Sequence, residues 1–226
     1  MSLAFYRRAL TAIGVLTMLT AHAAAVPLAP PEILLTWTSD SYVPPTYGGA
    51  LLPTQGGVIM VAAQLLDNHK LTTAPDAEFR WYVNDNLVAS GNGMTALRFN
   101  TKDFASGGEG YTVEVLVRGY AQSGIRSDIR IPLAQPQLVI TTPYPGRAVF
   151  NDGTLVTALP YYFSINSLAD LSFGWEVRGL PQATDDNTLL LINQKQAAGE
   201  LLPIAVTART DDGTMQVRAT VQSPLY

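Results

Sequence analysis

Apolar and polar residues alternate with a period of two along much of the chain. In "YTVEVLV" (111–117), Tyr111, Val113, Val115 and Val117 are spaced by Thr112, Glu114 and Leu116. "FRWYV" (79–83) does the same with Phe79, Trp81 and Val83. This is the pattern of strands with one buried face. Clusters of Gly, Asn, Asp, Pro and Ser separate such runs every 8–12 residues, the spacing of strands in a sandwich or barrel. No long stretch keeps helical spacing. The best helical candidate, "LINQKQAAGELL" (191–202), is interrupted by Gly199 and has no continuous apolar stripe. The pattern predicts an all-β protein.

The strand pattern repeats. "FRWYV" (79–83) returns as "FGWEV" (173–177), offset by 94. "LRF" (97–99) returns as "LLL" (189–191), offset by 92, and "GYTVEVLVR" (110–118) as "LLPIAVTAR" (201–209), offset by 91. Upstream, "VIMVAAQLL" (58–66) matches "LVTALPYYF" (155–163), offset by 97. Small drifts in offset place insertions and deletions in the loops between matching strands. Each repeat has the length of one sandwich of about 100 residues. The boundary falls in "PLAQPQ" (132–137), a short proline-bearing linker that is semi-rigid. The expected organisation is a leader over 1–25, a first domain over 26–134 and a second over 137–226.

The two tryptophans at matched positions, Trp81 and Trp175, are expected in the cores, because a ligand site seldom appears twice in equivalent places. "NDN" (84–86) directly after the first of these strands predicts a hairpin turn, since Asn and Asp tolerate positive φ. In "YYF" (161–163), alternation predicts that Tyr161 and Phe163 face one way and Tyr162 the other.

At these residues the sequence resembles bacterial immunoglobulin-like and PKD-like surface modules. The shared pattern is an apolar-x-Trp-x-Val strand, a turn, Leu-x-Phe, then a Gly-Tyr-x-Val-x-Val strand. It covers residues 33–133 well and 137–222 less well, since Leu202 stands where Tyr is expected. The layout around "SYVPPTYGGALLPTQGG" and "TPYPGRAVFNDGTLVTALPYYF" also resembles two-module envelope proteins of candidate-phylum bacteria. The resemblance implies two consecutive Ig-like (Greek-key) β-sandwiches. In such domains a Trp on the third strand is buried and a Tyr opens the sixth. Trp81 and Trp175 take the first place and Tyr111 the second, while Val113 and Ile204 stand where antibody domains carry cysteine.

Composition narrows the function. Arg7 and Arg8, the apolar run "ALTAIGVLTMLTA" (9–21) and the small residues of "AHAAAVP" (21–27) read as a secretory signal. An uncleaved anchor is the alternative, although about 20 apolar residues are needed to span a bilayer and Pro27, Pro30 and Pro31 interrupt a helix. Either reading sends the body to the periplasm, the cell surface or the medium. Without Arg7 and Arg8 the chain keeps 12 basic and 18 acidic residues, a balance that disfavours nucleic acid. It has no cysteine, so each domain must stand on its own core without disulfides.

No catalytic residue, cofactor site or metal site is expected. After the leader the one histidine is His69, in a loop, and no nucleophile elbow, zinc motif or Walker loop is present. The acidic turns "DFASGGEG" (103–110), "TDDN" (184–187) and "TDDG" (210–213) each supply two or three carboxylates or fewer, against the six to eight oxygens Ca²⁺ takes. They read as turn chemistry, with Asp212-Gly213 a two-residue hairpin signal.

Two loops rich in Tyr and Pro, "SYVPPTYGG" (41–49) and "TPYPGR" (142–147), sit at equivalent places in the repeats. They read either as stiff covers for a sheet edge or as a presented contact surface, with Tyr42, Tyr47 and Tyr144 as the contact residues. The expected function is an exported, non-enzymatic structural or binding protein acting on a protein or cell-surface partner, with membrane contact only through the N-terminal segment. Two alternatives stand beside it. A periplasmic two-domain chaperone would use basic residues in the domain cleft, for which Arg118, Arg126 and Arg130 are the local cluster. A carbohydrate-binding module would need exposed coplanar aromatics.

Overall fold

The computed structural model describes residues 29–104, 110–121, 123–143, 153–192 and 201–224. Within them the chain is all-β and builds two sandwiches of the same plan.

In the first module, one sheet is formed by β1 (Glu32–Ser39), β2 (Val58–Asp67), β3 (Lys70–Thr72) and β6 (Ala96–Asn100). β2 pairs with β1 along one side and with β6 and β3 along the other. The facing sheet has the order β5-β4-β7-β8, from β4 (Glu78–Val83), β5 (Asn86–Asn92), β7 (Gly110–Arg118) and β8 (Ile125–Pro132). The second module repeats this arrangement. β13 (Thr188–Leu190), β10 (Leu155–Tyr161) and β9 (Gln137–Thr141) form one sheet, in that order. β12 (Leu180–Pro181), β11 (Leu171–Val177), β14 (Leu201–Thr210) and β15 (Gln216–Pro224) form the other. All pairings among the described residues are antiparallel, and in the first module the chain crosses between the sheets after β3, β5 and β6, as in immunoglobulin-like sandwiches.

Alternation sets the cores. Ile59, Val61, Ala63 and Leu65 are buried on β2, and Val113, Val115 and Val117 on β7. The offsets found in the sequence carry these positions to Val156 and Ala158 on β10 and to Ile204, Val206 and Ala208 on β14, which are buried in the second core. Trp81 and Trp175 lie at the centres, 0% and 1% exposed. Each indole N–H donates to a loop carbonyl, Trp81 to Met94 and Trp175 to Asp186, both at 2.8 Å. A buried indole needs such an acceptor. Tyr111 is also buried, and its hydroxyl donates to the Thr101 carbonyl at 2.8 Å. At the matching place Leu202 is fully buried and needs no partner.

The hairpins follow the turn residues. Asn84 and Asp85 have φ of 47° and 65°, and Arg178 and Gly179 occupy the same turn of the second module with φ of 53° and 75°. Positive φ at both central residues is the turn that matches strand twist. Asp212-Gly213 departs from the two-residue expectation. Residues 211–215 separate β14 from β15, because the Asp212 carboxylate gathers Thr210 and Thr214 around itself and widens the turn. The helical candidate over 191–202 falls largely on residues 193–200, outside the described residues, and Leu201 and Leu202 begin β14.

Candidate functional site

The site is the joint between the modules. Residues 40–57 connect β1 to β2, and the two ends of this loop are fastened together. Asp40 N–H donates to the Val58 carbonyl at 3.2 Å, and Val58 N–H donates to Asp40 Oδ1 at 2.7 Å. Between these ends the loop crosses to the second module. Tyr42 N–H donates to the Phe163 carbonyl at 2.7 Å, and the Tyr42 carbonyl accepts from Tyr162 N–H at 2.8 Å. The Tyr42 side chain packs on the second core, and burial pushes its phenol pKa up. Tyr47 sits edge-on to both Tyr161 and Tyr162, with ring centroids 5.7 and 6.0 Å apart. Its hydroxyl meets the Tyr162 hydroxyl at 2.5 Å, and this bond, followed by burial, raises the Tyr162 pKa.

Tyr42 and Tyr47, the contact residues read from the sequence, make these contacts within the chain. Both are half-buried and turned to the neighbouring module, because the loop that carries them leaves the end of β1 nearest the linker. Tyr144 lies outside the described residues. The alternation expected for 161–163 also gives way. Tyr162 has φ of 60°, which ends the strand pattern, so Phe163 alone is buried while Tyr161 and Tyr162 both reach Tyr47. Their planes are tilted by 78°, 88° and 51° to one another, unlike the coplanar platform that stacking on a sugar requires.

Below the tyrosines, Thr101 binds the same loop to the first module. Its Oγ1 donates to the Thr54 carbonyl at 3.0 Å and accepts from Gly56 N–H at 2.7 Å. The linker is fastened as well, Ala134 N–H donating to the Pro53 carbonyl at 2.8 Å.

Between the modules this leaves a groove of about 900 Å³, within the usual range for ligand sites, which favour domain interfaces. One wall is Thr54–Gly56 and Lys102 of the first module, the floor includes Gln135 and Pro136 of the linker, and the other wall is the turn 210–215 with the start of β15. Gly56 has φ of +89°, and the Lys102 side chain lies against it where a Cβ would come within 2.9 Å. Asp212 Oδ1 accepts from Thr210 Oγ1 at 2.6 Å, Thr214 N–H at 3.0 Å and Thr214 Oγ1 at 2.8 Å. These donors, led by the Thr210 hydroxyl and helped by the Lys102 charge, hold its pKa down to about 2. Arg218 is clamped to Glu176 through two bonds of 2.9 and 2.8 Å. Thr54 is fully buried, and its Oγ1 has no hydrogen-bond partner among the described residues.

The arginines named for a chaperone-like cleft lie elsewhere. Arg118 is at the end of β7 far from the linker, and Arg126 pairs with Glu114 at 3.2 Å on the outer face of its sheet. Arg130 is on β8. The cations that border the groove are Lys102 and Arg218, on segments that carry no recognisable motif and meet only in the fold. His69 is exposed at the tip of the β2–β3 hairpin with φ of 61°. Among the described residues no three His, Cys, Asp or Glu side chains converge as metal ligands.

No protein-family model matches the sequence, and no curated protein matches it. Among solved structures the chain is similar to the three N-terminal domains of the highly immunogenic outer capsid protein (Hoc) of bacteriophage RB49. Identity is 10%, the TM-score 0.46, and the match covers 87% of this chain and 59% of that fragment. It is also similar to the fibronectin(III)-like modules of Clostridium thermocellum CbhA, at 15% identity and TM-score 0.28, over 84% of this chain and 93% of that one. A third likeness is the Yersinia pseudotuberculosis adhesin InvE, at 14% identity and TM-score 0.26, over 84% and 58% of the two chains. The chain is a tandem of immunoglobulin-like β-sandwiches.

Proposed function

We propose that this protein is an exported, non-enzymatic binding protein whose two modules act as one rigid unit in contacts at the cell envelope or surface. The observation that carries this reading is the joint. A loop of the first module is built into the second through the Tyr42–Phe163 bridge and the three-tyrosine cluster. Two sandwiches held in fixed relation present a large surface whose ordering cost is met on folding, which favours binding. The apolar, small-residue leader supports export, and the acidic balance of the remaining chain supports a protein or surface partner over nucleic acid.

Two measurements test the reading. Fractionation of the producing cell, with intact-mass analysis, should find the protein outside the cytoplasm, with residues 1–23 or 1–25 removed or the chain held in the membrane. Rotational correlation times from NMR relaxation should be equal for the two modules and fit one body. A cytoplasmic protein starting at Met1, or two modules tumbling independently, would overturn the proposal.

A further inference from the structure

Tyr47 of the first module and Tyr162 of the second meet hydroxyl to hydroxyl at 2.5 Å, with their rings edge-on at 88° and the centroids 6.0 Å apart. Each partner is held in place. Tyr162 N–H donates to the Tyr42 carbonyl at 2.8 Å, so its backbone is tied to the loop that carries Tyr47. Its φ of 60°, in a region that non-glycine residues seldom occupy, is fixed by this junction. The Tyr47 ring lies on the bare backbone of Gly49, where a Cβ would collide with its hydroxyl. Both tyrosines are half-buried and so stay partly open to small diffusible reagents.

Other tyrosines have other company. Tyr111 is buried with its hydroxyl on the Thr101 carbonyl, and Tyr120 donates to Asp67 at 2.9 Å. Tyr161 reaches Tyr47 ring against ring, with centroids 5.7 Å apart, but the Tyr47 hydroxyl is paired with Tyr162.

A hydroxyl pair of this kind has a chemical consequence. When a phenol loses an electron and its proton, the unpaired electron is shared between the oxygen and the ring carbons ortho and para to it. In tyrosine the para carbon carries the side chain, so new bonds form at the ortho carbons beside the hydroxyl. Facing hydroxyls bring two such edges together, and the hydrogen bond between them offers a departing proton an acceptor.

We propose that Tyr47 and Tyr162 are a site of oxidative cross-linking, at which hydrogen peroxide and a haem peroxidase join the two modules through a dityrosine bond. Each phenol gives up one electron and one proton. The two radicals bond through their ortho carbons, and the hydrogens on those carbons pass to the oxygens as both rings regain aromaticity. The pair thus loses two hydrogens, and one hydrogen peroxide takes them up as two waters. Exported proteins commonly tie distant segments with disulfides. This chain has no cysteine, and the phenols supply the same kind of tie. The inference rests on the reading of the modules as one exported, rigid unit and adds a covalent lock at the joint that carries that reading.

Treatment of the full chain with hydrogen peroxide and a haem peroxidase, at a dilution where chains seldom meet, tests it. The products are followed by intact mass, peptide mapping and denaturing gel. We expect a monomer lighter by two hydrogens, dityrosine fluorescence, and a linked peptide pair that joins Tyr47 to Tyr162. The link closes a loop across 115 positions, so the denatured chain should run faster in the gel. Tyr47→Phe and Tyr162→Phe keep the rings and should each abolish the linked monomer, whereas Tyr161→Phe should leave it. No linked monomer, links at other tyrosines, links only between chains, or an undiminished yield in the Tyr47 or Tyr162 variant would overturn the proposal. Tumbling of the modules and export from the cytoplasm are read on untreated protein, so a failure here leaves the two-module binding reading standing.

Discussion

Tyr42 and Phe163, 121 positions apart in the sequence, are neighbours in an isolated antiparallel bridge that joins the two sandwiches. The Tyr42 amide donates to the Phe163 carbonyl at 2.7 Å, and the Tyr42 carbonyl accepts from Tyr162 at 2.8 Å. Phe163 is fully buried in the second core, so the bridge anchors the first module's loop to a rigid point. Backbone bonds of this kind survive side-chain exchange, and the tyrosines at 47, 161 and 162 add side-chain contacts beside them.

We predict that Tyr47→Ala loosens the joint while both modules stay folded. The change removes two edge-to-face ring contacts, each worth about 0.5–1.5 kcal/mol. It also removes the hydroxyl pair with Tyr162, worth about 0.5–1.5 kcal/mol. Small-angle scattering should show a broader distribution of module orientations. Gly49→Ala should act in the same direction, because a Cβ there would collide with the Tyr47 hydroxyl. An unchanged scattering profile for both variants would show that the backbone bridge alone sets the geometry.

The cores give a second prediction. Trp→Ala at a buried site costs roughly 3–5 kcal/mol, a large part of a domain's stability of about 5–15 kcal/mol. Trp81→Ala also orphans the Met94 carbonyl, and Trp175→Ala that of Asp186. Each variant should lower the melting of its own module far more than that of the other, as followed by residue-resolved hydrogen exchange. Tyr111→Phe should cost less, about 1 kcal/mol, for the loss of the hydroxyl's bond to the Thr101 carbonyl and its longer one to Phe104. A Trp81→Ala protein that melts normally would remove the indole from the core.

The main strands and both cores were legible in the sequence because one physical rule, period-two burial, operates along β2, β4, β7, β10 and β11. The offsets that align Trp81 with Trp175 and Ile59 with Val156 are offsets between side chains facing the same way. The joint obeys no such rule. At Tyr162 a positive φ shifts the register by one, and alternation then assigns Tyr161 to the wrong side. Loop residues carry no periodicity, so nothing in "SYVPPTYGG" marks Tyr42 as a bridge to Phe163. The groove brings together residues 54–56, 102, 135–136, 164 and the stretch from 210 to 218, five segments that are joined only by tertiary packing. What the sequence did offer was the excess of Tyr and Pro in that loop, a sign of contact that is met within the chain.

The turn beside the groove should respond to acid late. Asp212 has its pKa held down to about 2, against an ordinary 3.8, by the Thr210 hydroxyl and by the amide and hydroxyl of Thr214. A carboxyl whose folded pKa lies below its unfolded value adds stability that is complete above the unfolded value and disappears as pH falls through the folded one. The Asp212 contribution is therefore whole above about pH 4 and is lost on acidification toward about pH 2. The Thr214 amide resonance should titrate in that window. Asp212→Asn should abolish the titration, since an amide stays neutral throughout. A Thr214 midpoint at the ordinary carboxyl value would break the link between these bonds and the turn.

The joint should respond to base, with the opposite sign. Tyr162 has a pKa raised above the ordinary 10.0, first by its hydrogen bond with Tyr47 and then by burial. A raised pKa means that the folded joint favours the neutral phenol. Its contribution is fully present below the unfolded value and is lost as pH climbs through the raised one. We predict that the module–module distance, followed by a pair of dyes on exposed sites of the two sandwiches, stays constant up to about pH 10 and widens above it. The phenolate absorbance should show Tyr162 among the late-ionising tyrosines, beside Tyr42 and Tyr120, whose phenols are also raised, with the Tyr162 step in time with the widening. Tyr47→Phe keeps the ring contacts and removes the hydroxyl, so it strips Tyr162 of the largest cause of its shift. In that variant the Tyr162 phenol should move toward the ordinary range, and the distance change should move with it. If the Tyr162 phenol stays late in Tyr47→Phe, burial rather than the hydroxyl pair governs Tyr162, and the two tyrosines are not coupled at the joint.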